Sequence, residues 1–272
     1  MRVLISVDME GIAGVTGHDD VAPGTAQYER FRRLMTAEAN AAVSGAFAAG
    51  AKSVVVNDSH DGMRNILYEE LDARAELISG YNKPLCMVQG AAGAQAAVFI
   101  GYHAMAGTAR AVLDHTISGA QTHNWYLNGV RVGEAQLNAA LCGHFDVPVV
   151  AVSGDDKLAV QVQATLPGAR SIVVKESLDR EAARNLPRGQ VLEMIATEVA
   201  AAVRDCAKVT PLRAPGVATI RVEFSRAGLA DLAGLLPEAK RIDDRTLEVA
   251  GANVVEAWRR ADVMLRLCGS GH

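Results

Sequence analysis

The sequence has little of what marks a disulfide-stapled, nucleic-acid-binding or membrane-surface protein. Its four cysteines lie far apart and form no C-x-x-C pair, which argues against a cysteine metal knot and against a disulfide framework. The formal net charge is −4, and no long basic run could follow a nucleic-acid backbone or an anionic membrane. We therefore expect no nucleic-acid or membrane partner, and a small molecule or peptide instead.

Long apolar runs are also missing. The longest stretch without a charged residue, Pro84 to Ala109, is interrupted by glutamine, glycine and histidine. A membrane span needs about 20 predominantly apolar residues, so this stretch predicts a buried strand with flanking loops. Only five uncharged residues separate Arg2 from Asp8, too few for the apolar core of a signal peptide. We expect a cytoplasmic protein.

The sequence does contain enough apolar material for a sizeable core, since 50% of its 272 residues are hydrophobic. Four short Val- and Ile-rich runs lack the alternation of a half-solvated sheet and are typical of parallel strands covered on both faces. An alanine-rich helix is predicted from Thr25 to Ala49, ending at Gly50. The predicted fold class is α/β, a three-layer sandwich with a mostly parallel sheet. The four runs are Val3 to Val7, Ser53 to Asn57, Ala97 to Gly101 and Val147 to Ser153.

The elements predicted from Ala218 onward follow the order strand, helix, strand, helix, which predicts a smaller α+β unit at the C-terminal end. The segment "KVTPLRAPGV" is typical of a linker, because its two prolines interrupt regular structure. The predicted division is an α/β catalytic domain over residues 1–208 and a small α+β domain over residues 209–272, with a start near residue 157 as the alternative. The further predicted elements are a hairpin over Trp125 to Val132 with its turn at Asn128-Gly129, a helix from Gly133 to Cys142, a strand over Ser171 to Lys175, a helix over Gly189 to Cys206, a strand over Ala218 to Phe224, a helix over Ala227 to Leu236, a strand over Thr246 to Ala250 and a helix over Asn253 to Leu267.

Polar side chains follow each of the four predicted strands. Asp8 and Glu10 follow the first, His60 ends the "NDSH" after the second, His103 ends the "GYH" after the third, and "SGDD" closes the fourth. Each alone is typical of a helix cap, a turn or a structural histidine. Ligands of open α/β sheets bind outside the carboxyl ends of the strands, so these groups should meet at one edge. Two imidazoles and two carboxylates together would repel or stay unsatisfied without a cation among them.

The donor set indicates which cation. Nitrogen and oxygen donors without thiolate suit Zn²⁺, or else Mn²⁺ or Co²⁺, whereas Mg²⁺ and Ca²⁺ prefer shells made of oxygen alone. Gly11 and Gly14 would let the backbone turn tightly beside the two acids that follow the first strand.

Eight short motifs occur in a characteristic order and spacing. They are "SVDMEGIAGV", "NDSH", "ISG", "GYHA", "LDHT", "NG" followed by "VGE", "LNA" and "VSGDD". In this order they resemble the DppA-type D-aminopeptidases, a family of binuclear zinc peptidases. The resemblance covers essentially the whole chain and is densest from Val3 to Asp156.

The resemblance implies a set of protein ligands for two zinc ions, with one carboxylate bridging them. The bridging residue is Asp8, and the other ligands are Glu10, His60, His103 and Glu134. Two Zn²⁺ carry four positive charges and three carboxylates remove three, so a single bound hydroxide would neutralise the site. For Glu134 the plain alternative is a glutamate favoured by the positive end of a helix.

The resemblance also implies a catalytic role for His115. Asp114 precedes it where a small polar residue such as serine is expected, which could alter the basicity of the imidazole. The implied activity is hydrolysis of short peptides at a free amino terminus, with D-residues as in D-Ala-D-Ala. The implied assembly is a homo-oligomer built from rings, a decamer.

Two alternatives differ in their use of the same residues. A haloacid-dehalogenase-type phosphatase would use Asp8, Ser59 and Mg²⁺ held by Asp155 and Asp156. This alternative assigns no role to His60, His103 or His115. That family also expects aspartate at the position of Glu10. A non-catalytic peptide-binding module would have lost at least one ligand, and none is replaced. Asp155 and Asp156 otherwise orient ligands or cap a helix, and Met9 is expected in the core. The histidines expected to be exposed or structural are His18, His123, His144 and His272.

Overall fold

The computed structural model describes residues 1–269 of the chain, and His272 lies outside them. The strands are β1 (Arg2–Val7), β2 (Ser53–Asp58), β3 (Ala75–Ile78), β4 (Ala96–Ile100), β5 (Thr122–Leu127), β6 (Val130–Val132), β7 (Val149–Asp155), β8 (Arg170–Asp179), β9 (Ala182–Asn185), β10 (Ala218–Phe224), β11 (Lys240–Arg241) and β12 (Thr246–Gly251). The helices are α1 (His18–Val21), α2 (Ala26–Ala48), α3 (Glu134–His144), α4 (Asp156–Thr165), α5 (Arg188–Arg204), α6 (Ala227–Ala233) and α7 (Val254–Leu267), with short 3-10 segments at Cys86–Val88 and Cys206–Lys208.

The first sheet has seven strands in the order β3-β2-β1-β4-β7-β8-β9. Its strands run parallel to their neighbours except β9, which is antiparallel to β8. Helices α2 and α5 pack on one face, and α3 and α4 pack on the other. Both faces are therefore covered, which is why the Val- and Ile-rich strands show no alternation. The α/β class with a mostly parallel sheet is confirmed.

The ends of α2 follow from local chemistry. The Thr25 side chain accepts a hydrogen bond from the Tyr28 N–H at 2.9 Å and so caps the first turn. Gly50 follows the last turn with a φ of 93°, which costs a glycine little.

The second sheet is antiparallel, in the order β11-β12-β10-β5-β6. Its hairpin turn has positive φ at Asn128 (50°) and Gly129 (81°), as predicted. The hairpin β5–β6 pairs with β10, which lies about ninety residues further along the chain, with Val222 opposite Trp125. The smaller α+β unit therefore includes a hairpin that the sequence analysis assigned to the first part of the chain. The division into domains at residue 209 stays a prediction.

Several element boundaries differ from the sequence analysis, and three strands were missed. Strand β8 is twice as long as expected and α6 ends at Ala233, whereas β7 begins only after Pro148, which has no N–H to donate. The missed strands β3, β9 and β11 are four, four and two residues long. They lie at sheet edges and are partly exposed, so they carry no run of apolar residues.

The carboxyl ends of β1 and β4 approach each other closely. The Gly11 N–H donates to the Gly101 carbonyl at 2.7 Å, and a Cβ on Gly11 would lie 1.9 Å from the Tyr102 oxygen. Only glycine permits this approach, which brings the residues after both strands to one point. Among residues 1–269, no helix has the length and apolar character that crossing a membrane requires.

Candidate metal centre

The structure brings the five expected ligands together at one buried point, with His115 at its edge. Asp8 and Glu10 follow β1, His60 follows β2 and His103 follows β4, as the parallel sheet requires. Glu134 is the first residue of α3. Each of these five residues is at most 7% exposed.

Asp8 lies between two imidazoles. Its Oδ1 is 3.4 Å from His60 Nδ1, and its Oδ2 is 3.5 Å from His103 Nε2. The same nitrogen of each imidazole also faces a second carboxylate. His60 Nδ1 is 3.1 Å from Glu10 Oε2, and His103 Nε2 is 3.3 Å from Glu134 Oε1.

These residues form two groups of donors that share one carboxylate. Within each group the ligand atoms lie within 4.8 Å of one another, a spacing that lets a single cation contact all of them. One carboxylate oxygen for each group is the arrangement of a bridging ligand between two metal ions. The groups are Asp8 with Glu10 and His60, and Asp8 with His103 and Glu134.

Backbone carbonyls fix the orientation of both imidazoles. His60 Nε2 is 2.9 Å from the Val21 oxygen, and His103 Nδ1 is 3.0 Å from the Ala104 oxygen. A carbonyl can only accept, so each of these nitrogens carries the proton. The other nitrogen of each ring, which faces the carboxylates, is then an unprotonated metal donor.

Three buried atoms of the centre have no hydrogen-bond partner within the described chain: Asp8 Oδ2, Glu10 Oε2 and His103 Nε2. Buried polar atoms without partners are rare because their desolvation is not compensated. All three can donate an electron pair to a metal ion, and each belongs to a residue of the two ligand groups described above. A divalent cation at each group would satisfy them, so the residues fit a metal centre.

Charge is also unbalanced in the centre without a cation. Burial raises the pKa of Asp8 from its ordinary 3.8 to about 8, and the charge of Glu10 adds to this. Burial alone would lower the pKa of His103, but the Glu134 carboxylate outweighs it and raises the value to about 10. Both shifts arise because acidic and basic groups are buried close together, an arrangement that a divalent cation would stabilise.

His115 lies at the edge of the centre and is less buried. Its ring stacks on His103 with centroids 4.1 Å apart, and its Nε2 is 3.7 Å from Glu134 Oε1. Its Nδ1 is 2.9 Å from the Leu113 oxygen, so Nε2 is the free nitrogen. Burial and the neighbouring His103 lower the pKa of His115, which favours the neutral ring.

The backbone around His115 is strained. Leu113 and Ile117 flank it with φ values of 48° and 64°, a region that a bulky residue adopts rarely. The Ile117 N–H donates to Glu134 Oε1 at 2.7 Å, which ties this loop to the centre. Strain of this kind is typical of functional loops held by their surroundings. Asp114 accepts from Arg180 Nε at 3.0 Å and from the Gly107 N–H at 2.7 Å, whereas His115 Nδ1 faces the Leu113 carbonyl.

The centre opens into a cavity of about 590 Å³. Its walls include Trp258 and Leu265 of α7, so the C-terminal helix borders the cavity, which the sequence analysis did not predict. The sequence analysis also missed Lys175, a fully buried residue of β8. Its Nζ donates to the carbonyls of Glu10, Ile12 and Val15 at 2.6, 3.0 and 2.7 Å and so holds the loop after β1. The available signal was a lysine directly after the apolar run Ile172 to Val174.

The remaining residues have structural surroundings. Asp155 caps α4 by accepting from the Leu158 N–H at 2.8 Å, and Asp156 Oδ1 accepts from the Ser177 N–H at 2.7 Å. The phosphatase alternative, which needs this pair as Mg²⁺ ligands, is not supported. Met9 is fully buried, as expected. The exposed histidines are His18, His123 and His144.

Comparisons with known proteins agree on one family. The family model described as D-aminopeptidase matches residues 1–263. The chain is 36% identical over 269 residues to a D-aminopeptidase of Bacillus subtilis (strain 168), covering 98% of this chain and 97% of that protein. The solved structure of Zn-dependent D-aminopeptidase DppA from Bacillus subtilis, a self-compartmentalizing protease, superposes with a TM-score of 0.95 at 36% identity and full coverage of both chains. The chain therefore belongs to the D-aminopeptidase family of peptidases.

Proposed function

We propose that this chain is a binuclear zinc aminopeptidase in which Asp8 bridges the two metal ions. The main support for this proposal is that the two oxygens of Asp8 face two different imidazoles, at 3.4 Å from His60 and 3.5 Å from His103. Zinc agrees with the mixed nitrogen and oxygen donors and with the description of the solved relative as Zn-dependent. The proposed ligands are Glu10, His60 and Asp8 for one ion, and Asp8, His103 and Glu134 for the other.

When held by these residues, zinc would supply Lewis acidity for the scissile carbonyl and would lower the pKa of water from about 15.7 towards 7. The protein contributes orientation, since the Val21 and Ala104 carbonyls hold the two imidazoles with their free nitrogens inward. Lys175 holds the backbone carbonyl of Glu10 in place by donating a hydrogen bond to it. The five proposed ligands are at most 7% exposed, and this burial strengthens the electrostatic interactions among them.

We assign proton transfer to His115. Its Nε2 is free, its ring is held by the Leu113 carbonyl, and its lowered pKa keeps the ring neutral and able to accept a proton. It can then donate that proton to the amine that leaves when the peptide bond breaks, a role that typically contributes about 10² to 10⁴ in rate.

His115 also lies near enough to Glu10 and His103 to be considered a metal ligand. Two observations favour proton transfer instead. Its distances to the carboxylates, 3.7 and 3.9 Å, are the longest in the centre. Its side chain is 22% exposed to the cavity, against 1% for His103 and 8% for His60.

The proposed substrates are short peptides with a free amino terminus that carry D-residues, such as D-Ala-D-Ala. A cavity of about 590 Å³ accommodates a short peptide and excludes a folded protein. We further propose a ring-built homo-oligomer, a decamer, because the solved relative is a self-compartmentalizing protease. A cytoplasmic location agrees with four cysteines that are free of disulfides.

The test compares D-Ala-D-Ala with L-Ala-L-Ala as substrates of the zinc-reconstituted protein. We expect hydrolysis of the D-dipeptide, lost on chelation and restored by zinc, with two zinc ions per chain by elemental analysis. Phosphate release that depends on Mg²⁺, or a zinc-loaded protein that cleaves neither peptide, would contradict the proposal. A monomer in a size measurement would contradict the assembly alone.

A further inference from the structure

Arg180 is a cation at the cavity wall whose position is fixed by the loop that carries His115. It lies in the turn between β8 and β9. Its Nε donates to Asp114 Oδ1 at 3.0 Å, and its backbone carbonyl accepts from the Leu113 N–H at 3.0 Å. Asp114 is itself held by the Gly107 N–H at 2.7 Å. These contacts bind the arginine to the residues on the amino-terminal side of His115.

The terminal nitrogens of Arg180 remain available. Within residues 1–269 neither Nη1 nor Nη2 donates a hydrogen bond, and Nη1 makes only a long ion pair of 3.8 Å with the exposed Glu181. The side chain lines the cavity and is 52% exposed in all. An arginine held through Nε presents its two Nη groups as a fork that matches the two oxygens of a carboxylate.

Arg266, the other arginine of the cavity wall, is held by contacts within the protein. Arg266 donates from Nε to Asp262 at 2.8 Å and from Nη1 to Asn82 at 2.6 Å, and it lies over the Tyr81 ring. Arg180 is therefore the better positioned of the two to bind an anion that enters the cavity.

The chemistry of the reaction tells which end of a peptide lies near Arg180. His115 gives its proton to the leaving amine, so the residue released by cleavage lies on the His115 side of the metal centre. In a dipeptide the free carboxylate is separated from that amine by a single Cα. Because Arg180 and His115 line the same cavity, we expect the carboxylate of a bound dipeptide on the side of the centre where the Arg180 guanidinium lies.

We propose that Arg180, oriented by Asp114, binds the free carboxylate of a dipeptide substrate and makes the enzyme select dipeptides over amidated or longer peptides. The inference rests on the proposed peptidase function and names a specificity determinant of the same centre. Asp114, which stands where serine was expected, is then a positioning residue for Arg180.

The test crosses two enzymes with two substrates. Wild-type protein and Arg180→Gln are compared on D-Ala-D-Ala and on its C-terminal amide, which lacks the carboxylate. We expect Arg180→Gln to raise KM for the dipeptide by about tenfold or more, as removal of a charged hydrogen-bond partner does. Its KM for the amide and its kcat on both substrates should stay unchanged. The matched control is Arg184→Gln, an arginine of β9 that pairs with Glu176 outside the cavity.

A purely structural role gives a different result. If Arg180 only held the His115 loop, Arg180→Gln would lower kcat on both substrates equally, and the inference would be wrong. Equal KM values of the wild type for the dipeptide and its amide would overturn it as well.

A binding measurement separates this inference from the proposed function. Zinc-loaded His115→Ala protein, with and without Arg180→Gln, is titrated with D-Ala-D-Ala and with the amide by calorimetry. Weaker binding of the dipeptide alone supports the anchor even if the wild type cleaves nothing. Loss of affinity for both ligands, or for neither, overturns the anchor even if the wild type is an active peptidase.

Discussion

Replacing His60 by alanine removes the nitrogen donor from one of the two donor groups and leaves the other intact. His60 Nδ1 is 3.1 Å from Glu10 and 3.4 Å from Asp8, whereas Asp8, His103 and Glu134 keep their mutual geometry. We expect His60→Ala to lose zinc together with activity, retaining at most the ion of the second group.

The magnitude follows from linkage between zinc binding and folding. Loss of a group that merely supports a ligand costs about 10- to 100-fold in metal affinity, and loss of the ligand itself costs at least as much. At a fixed free zinc concentration well above Kd, a hundredfold loss removes about 2.7 kcal/mol of zinc-dependent stability. For a chain of 272 residues that corresponds to about 5 °C in the rise of Tm produced by zinc.

The matched variant is His115→Ala. His115 stacks on His103 in the same cavity, but neither donor group that contains Asp8 depends on it. It should keep two zinc ions and the full zinc-dependent rise of Tm, while turnover falls by about 10² to 10⁴.

The assay measures zinc per chain after desalting, Tm with and without zinc, and the rate on D-Ala-D-Ala. Only the zinc-dependent difference in Tm is compared, because His60→Ala also leaves a small void in the core. Equal zinc loss in the two variants would refute the separation of binding from chemistry, and His115 would then be a ligand.

Three further predictions concern the surroundings of the centre. Metal-free protein should lose stability as pH rises from about 6.5 to 8, because the folded-state pKa of His103 is raised to about 10 and that of Asp8 to about 8. Above pH 8 the buried Lys83 and Lys175, whose pKa values are lowered to about 8, act in the opposite direction. A Tm in EDTA that does not fall between pH 6 and 8 contradicts this. Lys175→Met should weaken zinc binding in a chelator competition, since three carbonyls of the loop after β1 lose their donor; unchanged affinity contradicts the positioning role. Gly11→Ala should lose zinc and stability because its Cβ would lie 1.9 Å from a backbone oxygen, whereas Gly189→Ala, with open space around it, should fold and bind zinc normally.

Much of the fold could be predicted because burial leaves a direct mark on composition. Strands buried on both faces must be apolar throughout, and the runs at β1, β2, β4 and β7 show this. The Asn128-Gly129 turn was equally visible, since few residues other than asparagine and glycine accept positive φ. Edge strands such as β3 leave no comparable mark because water satisfies one side of them.

The candidate site likewise has features that the sequence predicts and features that it does not. The identity of Asp8, Glu10, His60 and His103 and their places after strands are local facts, and parallel strands bring such residues to one edge. The sequence by itself therefore determined the donor chemistry and the sheet that gathers it.

Only the tertiary structure decided how the side chains of the site are oriented. The acceptors that orient the three imidazoles are backbone carbonyls of Val21, Ala104 and Leu113, which any residue could supply, so side-chain identity carries no trace of them. The contact of Arg180 with Asp114 joins residues 66 positions apart. The pairing of β5 with β10 joins segments further apart still. Such contacts depend on where the folded backbone runs, whereas sequence periodicity reports only whether each residue meets water or the core.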